Sequence, residues 1–148
     1  MRRLPSLLLL TTAVGVAGCV YPPGSAPGPR PEYPVRGHVF VNGRPAAGAV
    51  VVFHPAHDPS GRAGPRPRAV VRDDGSFGLP TAELPGGAPA GNYVVTVVWQ
   101  PGGVGEDRLG GRYADPAHAR LTTAVLKGPN DLPPFHLDEP GRPGVTSP

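Results

Sequence analysis

Between Val35 and Asp138 the chain consists of short apolar runs, each closed by a cluster of glycine, proline, asparagine or aspartate. No run carries the three-to-four spacing of an amphipathic helix, so the pattern predicts strands throughout. VRGHVFV, from Val35, ends in NGRP, where Asn42 and Gly43 both tolerate positive φ and predict a hairpin turn. AVVVFHP follows from Ala49 to Pro55; Val50, Val51, Val52 and Phe53 are all apolar, which leaves its buried face open. RAVVR, Arg68 to Arg72, leads through Asp73-Asp74-Gly75 into SFGL, which reads as a second tight hairpin. The strongest strand is NYVVTVVWQ, Asn92 to Gln100. Its Tyr93, Val95, Val97 and Trp99 share the face assigned to the core, and Val94, Thr96, Val98 and Gln100 share the other. LTTAVLKG from Leu121 and LPPFHLD from Leu132 complete about seven strands. Pro133 and Pro134 cannot donate to a ladder, so the last strand lies at an edge or begins only at Phe135. The expected fold is all-β, a seven-stranded antiparallel β-sandwich over residues 35–138.

The flanks are different in kind. Arg2 and Arg3 precede an apolar run from Leu4 to Val16, and small residues follow, the order of a secretory signal over residues 1–18. That run is too short to cross a bilayer comfortably, and no other segment approaches the ~20 apolar residues required. From Tyr21 to Pro34 the chain reads YPPGSAPGPRPEYP, a semi-rigid tether within residues 19–34 that in polyproline II geometry advances ~3.1 Å per residue. EPGRPGVTSP, residues 139–148, is expected to be a disordered tail. The formal charge is +3, and loss of Arg2 and Arg3 with the signal leaves it near neutral, which gives no electrostatic case for nucleic acid. Gly 22 and Pro 23 concentrate in the flanks and loops, so they punctuate a folded centre and do not argue for disorder throughout.

The single cysteine stands at the end of VAGC, Val16 to Cys19. In this position the four residues resemble the lipobox of bacterial lipoproteins. The resemblance implies a diacylglyceryl group on the Cys19 sulfur, cleavage just before it, and acylation of the new amino terminus. Each buried methylene contributes ~0.8 kcal/mol, so two or three chains anchor stably where one would not. Membrane lipid would then be a partner through Cys19, and the protein would be an exported lipoprotein, periplasmic or at the cell surface.

A second resemblance covers most of the central region. G-x-V-x-x-N-G-x-P-x-x-G-A-x-V-x-F from Gly37 to Phe53, then D-D-G-S-F from Asp73 and P-A-G-N-Y-V-V-T-V from Pro89, are similar to the carboxypeptidase regulatory-like domains. GRYADPAHARLTTAVLKGPNDLPPFHL, from Gly111, resembles the C-terminal part of small lipoproteins of that kind. The resemblance implies a transthyretin-like (prealbumin-like) sandwich that serves as a non-catalytic structural or binding module, with an envelope protein or glycan as partner.

Candidate chemistry is sparse. HPAHD carries His54 and His57, which would be the ligands of a metal-binding envelope protein, yet Pro55 puts one at a strand end and the other in a loop. Solvated loop histidines beside SGRAGPRPR are the simpler account. Asp73-Asp74-Gly75 lacks the alternating oxygens and distal glutamate of a calcium loop, and a turn explains it. A dioxygenase-like oxidoreductase on the same sandwich would need paired tyrosines and histidines. Tyr93, Tyr113 and His118 could supply them, but no His-x-His pair follows and Tyr93 is better used in the core. No nucleophile, base and oxyanion set stands out, so no enzyme activity and no cofactor are expected. GEDRLGGRY, Gly105 to Tyr113, reads as a long mobile loop after the strongest strand, and Arg108, Arg112 and Tyr113 are its candidates for partner contact.

Overall fold

The computed structural model describes residues 30–59, 66–79 and 87–141. The signal segment 1–18, Cys19, the tether up to residue 29 and tail residues 142–148 lie outside them, as do 60–65 of the SGRAGPRPR insertion. The strands in chain order are β1 (Glu32–Tyr33), β2 (Val35–Val41), β3 (Arg44–Pro45), β4 (Val50–Pro55), β5 (Arg68–Val70) and β6 (Ser76–Leu79). They continue with β7 (Ala88–Pro89), β8 (Gly91–Val98), β9 (Leu121–Val125), β10 (Asn130–Asp131) and β11 (Phe135–Leu137). Each predicted run contributes one strand; β1, β3, β7 and β10 are added two-residue pieces. Single 3₁₀ turns at Pro101–Gly103 and Pro116–His118 are the helical elements among the described residues, and the protein is all-β.

Asn42 (φ 49°) and Gly43 (φ 76°) turn the chain from β2 into β3 as a two-residue hairpin, with Val41 opposite Arg44. β2 is the spine of a five-stranded sheet. Its first half pairs antiparallel with β6, and its second half with β3. Along the other edge β10 and β11 run parallel to it, Asn130 beside Val35 and Phe135 beside Val39. The wholly antiparallel sheet expected from the sequence is corrected here. β9 belongs to the other sheet, so the last segment crosses over and returns in the direction of β2. Pro133 and Pro134 divide that return, and β11 begins at Phe135.

The second sheet has the order β5-β4-β8-β9, all antiparallel, and β1 pairs with β7 as a small ribbon. The DDG turn is tight, with Gly75 N–H donating to the Arg72 carbonyl at 2.9 Å. The expected hairpin closes at one pair, where Arg72 N–H donates to the Ser76 carbonyl at 2.8 Å; beyond it the strands part, β5 to β4 and β6 to β2, so the turn carries the chain from one sheet to the other.

Both sheets contribute to one core. Val35, Val39 and Val41 of β2 are buried, as are Val51 and Phe53 of β4, and Tyr93, Val95 and Val97 of β8 with Trp99 beyond it. The face assignment for β8 holds, and β4 buries its odd positions. Aromatic rings link the layers: Tyr93 meets Phe53 edge-on at 5.9 Å, Phe53 meets Phe77 of β6 at 6.1 Å, and Phe77 stacks on Phe135 of β11 at 6.1 Å. Each such ring or valine stabilises the fold by ~1.5–3 kcal/mol through burial. Gly37 is required by this packing, because a Cβ there would lie 2.6 Å from Phe77 Cζ.

Candidate functional site

His54 closes β4 on the face turned away from the aromatic core, yet it is 5% exposed. One ring nitrogen, Nε2, is 2.9 Å from Thr96 Oγ1 of β8, and Thr96 is itself buried. Nδ1 is buried and has no hydrogen-bond partner among the described residues. Burial holds the ring's pKa below its ordinary 6.5, and the Arg66 guanidinium pushes the same way. The Pro59 carbonyl beside the ring favours protonation without completing a bond to Nδ1. His57, in the turn after β4, is exposed. The candidate pair is thus split into one buried imidazole and one solvated one. No group of three or more histidine, cysteine, aspartate or glutamate side chains able to hold a metal occurs among the described residues.

The β8–β9 connection is built on a carboxylate that sequence reasoning passed over. Asp107 accepts from the backbone N–H groups of Trp99 (2.8 Å), Leu109 (3.1 Å) and Gly111 (2.9 Å), and Leu109 is fully buried. The loop expected to be mobile is tied to the end of β8: besides Asp107, the Arg108 N–H donates to the Trp99 carbonyl at 2.9 Å, and the Tyr113 carbonyl accepts from Val97 N–H at 2.9 Å. Arg108 lies 4.2 Å over the Trp99 ring and pairs with Glu139 at 2.7 Å. Glu139, the first residue of the expected tail, also accepts from Asn42 at 3.4 Å. Tyr113 is buried, and its hydroxyl accepts from the Asp138 N–H at 3.2 Å. Two of the three partner-contact candidates therefore have a folding role, and Arg112 is exposed. The tyrosines and histidine considered for an iron site are engaged separately. Tyr93 donates to the Pro89 carbonyl at 2.8 Å, Tyr113 meets Asp138, and exposed His118 sits 2.8 Å from Asp115 in a 3₁₀ turn.

Two further arrangements were not anticipated. On the outer face of the five-stranded sheet His38, Phe40 and His136 form a row of near-parallel rings, with centroids 6.1 and 5.7 Å apart. The signal was available: Arg36, His38 and Phe40 share the outward parity of β2. Asn130, buried at the start of β10, binds Leu126, Gly128 and Pro34 with its side-chain amide. No helix among the described residues is long and apolar enough to cross a membrane.

The class these observations define is an all-β protein whose sheets share a single core. No protein-family model matches the chain, and comparison with curated proteins gives no match. Among solved structures it is similar to a DUF3823 family protein from Parabacteroides merdae, with 15% identity and a TM-score of 0.40. The similarity covers 75% of this chain and 47% of that one, so the chain spans less than half the neighbour's length.

Proposed function

We propose that this protein is a lipid-anchored envelope protein. Its β-sandwich, of the transthyretin-like and carboxypeptidase regulatory-like kind, acts as a non-catalytic structural or binding module. The observation that carries the reading is the order of features along the chain. A basic and apolar leader ends in VAGC, a proline-rich stretch follows, and the first strand among the described residues begins at Glu32, soon after Cys19. A lipid on Cys19 leaves the domain free in the aqueous phase, tethered and not inserted. The stacked row of His38, Phe40 and His136 offers exposed ring surface to an envelope protein or glycan.

The test is the intact mass of the protein extracted from membranes of the cells that make it, with its N-terminal peptide fragmented. A chain that begins at Cys19 carrying two or three acyl groups is the expected result. A chain that begins elsewhere with a free thiol overturns the anchor and returns Cys19 to disulfide or redox chemistry.

A further inference from the structure

Antiparallel pairing lets the direction of every backbone group in β8 and β9 be deduced from a few hydrogen bonds. The Asn92 carbonyl accepts from Ala56 N–H at 2.9 Å, on the β4 side of β8. Val97 N–H donates to the Tyr113 carbonyl at 2.9 Å, on the β9 side. The odd residues of β8 therefore bond toward β9, and with Tyr93 opposite Thr123 it is Leu121, Thr123 and Val125 that answer them. Thr122 and Ala124 direct their N–H and C=O groups outward, where no described residue meets them. At the next outward position Asn130 intervenes. Its Oδ1 accepts from Leu126 N–H at 2.7 Å, and its Nδ2 donates to the Leu126 carbonyl at 3.0 Å. The side-chain amide occupies the groups a neighbouring strand would use, and it bounds the open edge to Thr122–Ala124.

Unpaired edges are ordinarily blunted by proline, by charge or by brevity. β5 is three residues long, follows Pro67 and carries Arg68; Pro45 lies in β3 and Pro89 in β7. β9 has neither charge nor proline from Leu121 to Val125. We propose that this edge is an interface between two copies of the chain, paired antiparallel about a two-fold axis at Thr123.

The sequence is self-complementary in that register. Thr122 exchanges backbone hydrogen bonds with the second copy's Ala124 and Ala124 with its Thr122, four bonds in all by symmetry. On the core side Leu121 meets the second copy's Val125, and the two Thr123 side chains meet at the axis, a favourable cross-strand pair. Arg120 lies opposite the second copy's Leu126, which is 68% exposed in the single chain and gains cover from the arginine's methylene stem. Lys127 falls opposite Ala119, so no like charges face one another across the axis.

The test introduces Thr123→Cys into the full chain and follows mild oxidation by non-reducing electrophoresis. Thr123 and its counterpart form a non-hydrogen-bonded pair with Cα atoms ~4.5 Å apart, inside the range a disulfide spans. A cross-linked dimer is expected with Thr123→Cys and not with Lys127→Cys, whose two copies lie ~26 Å apart in this register at ~3.3 Å per residue. Adding Ala124→Pro to Thr123→Cys removes an outward N–H without touching the β8 ladder, and should abolish the dimer while thermal unfolding stays cooperative. Equal cross-linking at Thr123→Cys and Lys127→Cys overturns the proposal, as does cross-linking that survives Ala124→Pro. A parent chain that dimerises through Cys19 overturns the lipid anchor instead; the edge is then read with Cys19→Ser in every variant, with the same two criteria.

Discussion

Replacing Asn130 by alanine should weaken the fold far more than truncating one polar side chain in a turn ordinarily does. The amide accepts from Leu126 N–H at 2.7 Å and donates to the carbonyls of Gly128 (2.7 Å), Leu126 (3.0 Å) and Pro34 (3.4 Å). Three of these contacts are short, and a typical intramolecular hydrogen bond contributes ~0.5–1.5 kcal/mol net. Asn130 is buried, so water does not freely replace what is lost. The expected cost is about 2–4 kcal/mol, a large share of the ~5–15 kcal/mol that holds a typical domain together. Trp99, the single tryptophan, is buried in the core and reports unfolding in urea by its fluorescence. With a slope of ~1–2 kcal/mol per molar for a small domain, the midpoint should fall by roughly 2 M.

A second substitution separates hydrogen bonding from shape. Asn130→Asp keeps the acceptor for Leu126 N–H but turns a carboxylate toward three carbonyl oxygens. Those oxygens raise the introduced group's folded pKa above the ordinary ~3.9, because only the protonated form can donate to them. The folded state then binds more protons than the unfolded state over that interval. Stability is fully present below the unfolded pKa and is lost as pH rises through the folded one. The variant should therefore be most stable in acid. An alanine variant within ~0.5 kcal/mol of the parent, or an Asp variant indifferent to pH, would refute the role assigned to this amide.

Gly37→Ala should cost ~1–3 kcal/mol in the same assay, because the new Cβ would lie 2.6 Å from Phe77 Cζ in a ring held between Phe53 and Phe135; an unchanged midpoint would mean that the ring yields freely. His54, whose folded pKa is lowered by burial and then by Arg66, should make the parent lose stability as pH falls through the unfolded value near 6.5, levelling off below the folded value. His54→Gln should flatten that interval of the stability curve, and a slope the same as the parent's would locate the titration elsewhere. Asp74 and Asp115 do not interfere, since hydrogen bonds from Ser76 and from His118 hold their carboxyls below the ordinary 3.8.

What the sequence made legible was local. Alternation in β8 named its buried face because Tyr93, Val95, Val97 and Trp99 are bulky where Thr96 and Gln100 are polar. The Asn42-Gly43 turn was legible because few residue pairs accept two consecutive positive φ angles. β4 carried no such contrast, and its face is decided by what lies opposite: Val51 and Phe53 pair with Val97 and Val95 of the buried row. The DDG hairpin was legible at its closing pair, Arg72 and Ser76, but not the divergence beyond it, because a tight reversal looks the same whether the strands leaving it stay paired or enter two sheets. Parallel pairing of β10 and β11 with β2 joins residues at opposite ends of the domain, a relation no local period encodes. His54 reads as a solvated histidine at a strand end, and its burial is a tertiary outcome, with Thr96 of β8 at 2.9 Å on one side of the ring and the Pro59 backbone near it.

The same separation bears on where recognition can occur. Of the side chains singled out in the sequence, Arg108, Tyr113 and His118 are held by partners within the chain, to Glu139, Asp138 and Asp115. Among the described residues, exposed Arg112, the ring row on one sheet and the backbone edge of β9 on the other are surfaces open to a partner. None of these includes the proposed anchor at Cys19. Glu32 lies thirteen positions beyond Cys19, a contour of at most ~40 Å at ~3.1 Å per residue. A domain of this size has a radius of gyration of ~13 Å and is ~34 Å across, a dimension comparable with that reach. The anchor at Cys19 and the edge at β9 use separate parts of the chain, and mass at Cys19 and cross-linking at Thr123→Cys test them one at a time.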